Sequence, residues 1–391
     1  MSQSVDPSVL EARPLAGLRV LDLSRLIPGP FASMVLADLG AQVDKVEDAG
    51  GGDYLRFMPP LAGDQNASFE MLNRGKRSVQ LDLKKPGARA AFLKLVPRYD
   101  VLLESFRPGV MARLGLGYEE LRKLHPGLVY CAISGYGQDG PLAQRAGHDI
   151  DYLARAGVLG LTGPEDGPPQ IPGVQMADVG GGACYAVIGI LAALSARAVT
   201  GKGRFVDVSM CEGAMSFGAF GLMSAFGGVV QAKGSGPLSG GIAPFGTYAT
   251  KDGRSVALAA LEPKFWIAFT TAVGLEPDMT ALAPGEHQAE WKAKVRAIFA
   301  GKTLAEWVAF AEKVDCCLEP VLLPGEIASD PHHRARRAIV DVTLRDGTVL
   351  PQIRTPIASE IAEGPAPKQG EHTRDVLREA GLGDEEIAAL G

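Results

Sequence analysis

His148 and Asp178 are the residues of this sequence best suited to moving a proton. His148 is followed at once by Asp149, and Asp178 stands just before the triple glycine Gly180-Gly181-Gly182. Pro164, Pro168, Pro169 and Pro172 interrupt the interval, so no continuous helix separates the two. A turn-rich connection can bring an imidazole and a carboxylate to one place. Imidazole titrates near neutral pH, and a carboxylate does so once partly desolvated. Such a pair can take a proton from one side of a carbon and return one from the other. Spacing alone leaves a second reading open. A histidine beside an aspartate also marks a surface turn or a satisfied core pair.

The elements that must hold these groups come from a chain of 391 residues, long enough that two domains are expected. Hydrophobic content of 46% and charged content of 21% describe a globular protein. A net charge of −6 gives no electrostatic case for nucleic acid. The N-terminus lacks a basic start followed by an apolar run, so no secretory signal is expected. The most apolar stretch, Ala183 to Ala196, reads as too short to span a bilayer, and no membrane is expected. The C-terminus is not a Ser-Lys-Leu address. Five cysteines without C-x-x-C pairing suit a reducing cytoplasm and argue against a disulfide frame or a zinc site; no metal is expected.

Residues 1–14 read as a loose lead-in. Leu18 to Leu23 is a buried strand, Ser24 to Pro30 a turn, and Phe31 to Leu39 an amphipathic helix ended by Gly40. Val43 to Glu47 is the next strand. This β-turn-α-β unit implies a right-handed crossover and a parallel sheet. No G-x-G-x-x-G follows the first strand, so a Rossmann topology carries no support for dinucleotide binding. Arg74, Lys76 and Arg77 read as solvated charges of a turn. Strands at 78–83, 99–103 and 128–133 alternate with helices at 87–96, 110–114 and 118–124, which gives an α/β fold with a largely parallel sheet.

Ala183 to Ala198 reads as a buried helix and Arg204 to Ser209 as a strand. Met210 to Phe226, rich in Met, Gly, Ala and Phe, reads as helical core or subunit interface. A hairpin around Asp252-Gly253 follows, then helices from Glu262, Glu290 and Leu304. Strands at 338–344 and 348–353 and a helix at 374–380 close the chain. The expected division is a large α/β domain over 1–205 completed by 335–391, a linker helix over 206–235, and a smaller α+β domain over 236–328.

Several stretches carry a resemblance: GLRVLDLSRLIPGPFASMVLADLGAQVDKVE, NRGKRSVQLDLKK, ESFRPGVMARLGLGYEEL, SGYGQDGP, AGHDIDYLA and ADVGGGACYAVIGILAAL. Over nearly its whole length the chain resembles the family III CoA-transferase superfamily, and within it the α-methylacyl-CoA racemases. Gly147-His148-Asp149 is the discriminating match, because the transferases usually lack that histidine. The resemblance implies a Rossmann-like large domain, a smaller domain and an interlocked homodimer. It places the active site between the large domain of one subunit and the small domain of the other.

The resemblance also implies roles. An α-proton beside a thioester is acidic because the carbanion delocalises as an enolate, and inversion needs one group on each face. His148 and Asp178 are implied as those groups, with Glu262 orienting the histidine and the Asp149 N–H facing the enolate oxygen. Glu262 also fits a helix N-terminal carboxylate. CoA is implied to lie along Leu81, Asp82, Leu83 and Lys84 and against Ser105, Phe106, Arg107 and Arg113. Gly147, Ile150, Asp151 and Tyr152 complete the His148 loop. Asp48 stands where racemases of the family often carry a basic residue. No cofactor is implied beyond the CoA moiety of an acyl-CoA substrate. The rival chemistry is CoA transfer with Asp178 as nucleophile, and a rival of another kind is a non-catalytic CoA-binding scaffold. The triple glycine reads as room for close approach of substrate in either chemistry.

Overall fold

The computed structural model describes residues 7–230 and 232–390. The first residues of the expected lead-in, and with them the start of the stretch read for a secretory signal, lie outside those; Pro7–Ala12 is a short helix. The chain forms two compact units. One comprises the residues up to Ala156, Val174–Phe217 and the chain from Ala328 on; the other is Gly157–Gly173 with Gly218–Ile327.

The first unit is built on a six-stranded sheet. Its strands are β1 (Arg19–Asp22), β2 (Gln42–Glu47), β3 (Arg77–Gln80), β4 (Val101–Glu104), β5 (Val129–Ser134) and β6 (Phe205–Ser209). Every pairing is parallel, and the order is β3-β2-β1-β4-β5-β6. β4 and β5 read as near-continuous apolar runs, as strands buried on both faces of a parallel sheet do, whereas β2 buries the charged Asp44, Lys45 and Glu47. The order reverses between β1 and β4. Such a switch point opens a crevice beyond the carboxyl ends of the strands.

Helix α1 (Pro28–Asp38) starts earlier than its pattern suggested. Pro28 takes the first helical position, where its missing N–H is no loss. Gly29 lies so close to Ser24 that a Cβ there would sit 2.0 Å from the serine Cβ. Apart from Phe31 the helix is buried along its length, so it is a core helix and not an amphipathic one.

The charges of the 74–77 turn are a further correction. Arg74 is fully buried. Its Nη2 and Nε donate to the Asp38 carboxylate at 2.5 and 3.1 Å, and its guanidinium also reaches Gln352 Oε1 and the Ile353 carbonyl. Asp38 in turn accepts from Thr355 and the Ala362 N–H. This one ion pair ties the returning C-terminal chain to α1. Lys76 is buried as well, donating to Ser33, Asn73 and the Pro30 carbonyl at 2.7, 2.9 and 3.1 Å beside Asp22 at 3.4 Å. Arg77 is half-buried and paired with Asp44 and Glu379.

Helix α2 (Asp149–Arg155) leads out of the unit, and a π-helical segment, Met176–Cys184, leads back in. It runs on into α3 (Tyr185–Thr200). The joined run is 25 residues long, its most apolar 18-residue stretch has mean hydropathy 1.8, and by length and composition it could cross a membrane. The apolar stretch is therefore longer than Ala183–Ala196. It packs on α1, β5 and β6, which accounts for its apolar face. The opposite face exposes Ile188 and Val199, so the helix is not wholly buried. Gly218 separates α4 (Met210–Phe217) from α5 (Ala219–Phe226), so the expected linker over 206–235 is a strand end and two helices. α4 belongs to the first unit and α5 to the second.

The second unit carries an antiparallel sheet of β7 (Phe245–Ala249), β8 (Ser255–Ala259) and β9 (Leu318–Pro320), with α6 (Pro263–Ala272) and two further helices over an aromatic core of Trp266, Phe269, Phe299 and Trp307. Residues 157–173, assigned from sequence to the large domain, cluster here. Lys233 Nζ donates to the Glu165 carbonyl at 2.6 Å, and Gly221 lies against Leu161. Back in the first unit, β10 (Ile339–Thr343) and β11 (Val349–Ile353) form a hairpin.

Arg74→Ala should therefore destabilise by about 3–5 kcal/mol in urea denaturation, because it strands the buried Asp38 carboxylate. A loss under about 0.5 kcal/mol would fit a solvated turn charge instead.

Candidate active site

Two grooves lie at the carboxyl edge of the parallel sheet. The first, of about 690 Å³, is lined by the chain just beyond β1, β2, β3 and β4: Leu23 and Arg25, Glu47 and Asp48, Leu81 to Lys84, and Ser105 to Arg107, with Arg113 and Gln144. The second, of about 650 Å³, shares Arg25, Ser105, Phe106 and Arg107 with it and adds Gly147, His148, Asp151, Tyr152 and Asp178. The two run on from each other at the switch point.

The structure thus gathers most of the residues named from sequence. Leu81, Asp82, Leu83, Lys84, Ser105, Phe106, Arg107 and Arg113 line the first groove. His148 and Asp178 line the second together. Asp149 and Ile150 do not line either groove. Glu262 belongs to the second unit, where it is exposed at the N-cap of α6 and its side chain makes no cap hydrogen bond.

Local sequence explains how His148 is held. It is the N-cap of α2; its N–H donates to the Asp151 carboxylate at 3.0 Å and its carbonyl accepts from the Asp151 and Tyr152 N–H groups. The preceding glycine makes room for this loop. A Cβ on Gly147 would sit 2.7 Å from the Tyr152 ring, and one on Gly135 would sit 2.4 Å from it. Tyr152 fills the gap between the two glycines and donates its hydroxyl to the Gly147 carbonyl. The imidazole itself is exposed.

Asp178 is positioned by the residue next to that histidine. One oxygen of the Asp149 carboxylate accepts from the Ala177 N–H at 2.7 Å and the Asp178 N–H at 2.9 Å. Asp178 rides on the π-helical segment, a geometry frequent at functional sites. The triple glycine is spent on packing, not on room for substrate. A Cβ on Gly181 would meet Ala214 N at 2.6 Å and Met210 O at 2.7 Å, one on Gly213 would meet Gly181 O at 2.0 Å, and one on Gly180 would meet the Phe217 ring at 2.8 Å. α4 lies directly on the π-helical backbone.

Burial, and then the Asp149 charge, push the Asp178 carboxyl up to about 6, while His148 pulls it down. The Tyr152 phenol is raised by its burial and by Asp178. The histidine and the carboxylate therefore feel each other, and Asp178 titrates where a proton can be both taken and given.

Arg25 is a site residue that the sequence reading passed over. It lines both grooves, stacks over Phe106 at 5.6 Å and lies 3.6 Å from Asp48. Asp48, the departure noted from sequence, is thus an acid beside an arginine and not an isolated negative charge on the groove wall. Only the strand order, which puts the end of β1 at the switch point, singles Arg25 out.

The raised Asp178 pKa has a consequence for stability. Below about pH 4 both folded and unfolded states hold the proton, and nothing is lost. Between the ordinary value of 3.8 and about 6, the folded state alone keeps it, so stability falls as pH rises. Above that the cost is complete, on the order of 1–3 kcal/mol. Asp178→Asn should be more stable than the parent by that amount at pH 7–8, and the difference should vanish below about pH 4. Urea denaturation at several pH values reads this directly.

The chain is matched over residues 15–373 by the family model for CoA-transferase family III. It is 38% identical over 385 residues to α-methylacyl-CoA racemase of Mus musculus, covering 96% of each chain. It is 37% identical over 339 residues to acetyl-CoA:oxalate CoA-transferase of Acetobacter aceti, covering 84% of this chain and 85% of that protein. The crystal structure of a CAIB/BAIF family protein from Brucella suis superposes with a TM-score of 0.82 at 31% identity, covering 94% of this chain and all 100% of that one. With the match running through both units, the chain belongs to CoA-transferase family III.

Proposed function

We propose that this enzyme is a racemase of 2-methylacyl-CoA thioesters, inverting the α-carbon by two-base proton transfer through an enolate. The observation that carries this reading is that His148 and Asp178 line one groove, with the carboxyl raised to about 6 by burial and by Asp149. A general base and acid work best when they titrate near the operating pH. His148 takes the α-proton of one enantiomer while Asp178 supplies the proton on the other face, and the roles exchange for the mirror substrate. The CoA moiety lies in the first groove, its phosphates near Arg107 and Arg113 and its adenosine along Leu81 to Lys84. No cofactor besides that moiety is needed. Glu262 is assigned the orientation of His148 from a second copy of the chain, in an interlocked homodimer. Exposed Ile188 and Val199 on α3 and Phe220, Met223 and Phe226 on α5 support an interface between copies.

In deuterated water the enzyme should place one deuterium at C2 of a 2-methylacyl-CoA and racemise it. His148→Ala should abolish exchange from the enantiomer that His148 serves and spare exchange from the other, with a loss on the order of 10²–10⁴-fold. Asp178→Ala should show the mirror pattern. Transfer of CoA to a free acid without α-exchange, lost in Asp178→Ala and intact in His148→Ala, would assign the enzyme to the transferases instead. Light scattering should give a dimer mass at every concentration, and a folded monomer would remove the interlocked assembly.

A further inference from the structure

Among the hydroxyls at the carboxyl edge of the parallel sheet, one stands apart. Ser24 Oγ donates to Asp22, Ser33 Oγ donates to Asp22, Ser105 Oγ accepts from the Arg25 N–H, and Ser209 Oγ accepts from the Glu212 N–H. Ser134, the last residue of β5, has no such partner. It is 6% exposed, and its Oγ is closed off from solvent and makes no hydrogen bond among the described residues. A buried hydroxyl without a partner is unfavourable, and in a folded protein such a group calls for an explanation. Its position supplies one. Ser134 lies between Ile133 and Gly135 in the wall of the groove that holds His148 and Asp178.

We infer that Ser134 is a catalytic residue whose hydroxyl takes the thioester oxygen of the bound acyl-CoA as its missing partner. The inference rests on the reading of this groove as an acyl-CoA site. A serine side chain turns about one bond, so its hydroxyl meets a ligand at the cost of a single torsion. When the α-proton leaves, the electron pair of the C–H bond moves into the carbonyl and the oxygen becomes an enolate oxygen. A neutral donor bonds an ionised oxygen more strongly than a neutral carbonyl, so the hydroxyl favours the transition state over the bound substrate. The resemblance implies the Asp149 N–H, at the first position of α2, as a donor to the same oxygen; Ser134, which lines the groove, is a further donor. The orphaned hydroxyl is then a stability cost kept for function.

The test compares Ser134→Ala with the isosteric pair Ser134→Thr and Ser134→Val. Ser134→Ala should lower kcat/KM for α-proton exchange on the order of 10²-fold, the usual worth of one oxyanion donor. Its urea midpoint should be equal to or above that of the parent, because an unpaired buried polar group has been removed. Ser134→Thr should keep most of the activity that Ser134→Val loses, since the two differ only in the hydroxyl. Binding of an S-alkyl-CoA thioether, which has no carbonyl oxygen, should be the same in parent and Ser134→Ala. The acid limb of the pH–rate profile should stay in place; a shifted limb would mean that the hydroxyl serves the Asp178 carboxyl, and would overturn the assignment. Parent-like kcat/KM in Ser134→Ala, or equal loss in the Thr and Val variants, would overturn it too. Failure of the parent to exchange the α-proton would remove the racemase reading alone. The same fold-losses would then be read on CoA transfer, where the thioester oxygen also gains negative charge.

Discussion

A single carboxylate holds the candidate site together. Asp149 follows His148 in sequence and receives the N–H groups of Ala177 and Asp178 from a segment that returns only after residues 157–173 have joined the other unit. Without that bond nothing in the local sequence relates the histidine to the aspartate. The interaction does two things at once. It fixes the backbone beneath Asp178, and it brings a negative charge close enough to raise the Asp178 carboxyl. Geometry and acidity are therefore coupled. A substitution at Asp149 alters both, and its effects cannot be divided between positioning and tuning by activity alone.

The wall on which the substrate is read to lie depends on a second buried layer, of charge. Lys45 donates to the Ser24 carbonyl at 2.7 Å and pairs with Asp53 at 3.0 Å; Glu47 is held by Arg56, by Ser78 and by the Asp53 N–H. Asp22 meets burial on one side and Lys76, Lys45 and two serine hydroxyls on the other, and the partners win, holding its carboxyl below the ordinary value. Burial pushes Lys76 down to about 7. Buried pairs of this kind give little net stability against an apolar equivalent, but breaking one is costly. They lie beneath the chain that leaves β1 and β2, which is the chain that lines the first groove.

Much of the architecture was legible because the central strands of the parallel sheet, Val101–Glu104 and Val129–Ser134, write themselves as short apolar runs. The strands, the right-handed crossover and the hairpin at Asp252-Gly253 follow from local pattern and turn chemistry. The charges at 74–77 were not legible. Whether an arginine in a turn meets water or Asp38 is decided by chain that arrives from residues 352–362. The π-helical segment and the use of Gly181 against Gly213 were hidden for the same reason, since both are set by α4 packing on it. At the site, spacing alone suggested His148 and Asp178 but favoured a surface turn or a satisfied core pair; the family resemblance raised them above it. Arg25 and Ser134 left no local signal. Each is singled out only by strand order or by the partner its side chain lacks.

The acidity of Asp178 bears on which chemistry the fold supports best. A carboxylate used as a nucleophile must be ionised, and the ordinary value of 3.8 already ensures that near neutral pH. Raising it to about 6 gains little for attack on a carbonyl, and it adds a stability cost. For proton transfer the balance reverses. An acid at 3.8 gives up its proton readily and takes one back poorly, whereas a carboxyl near 6 approaches the range in which histidine side chains as a class titrate. A carboxyl near 6 can act both as acid and as base close to neutral pH, which is what inversion in both directions demands of it. Burial beside Asp149 is therefore a feature that a two-base racemase uses and a transferase nucleophile does not require.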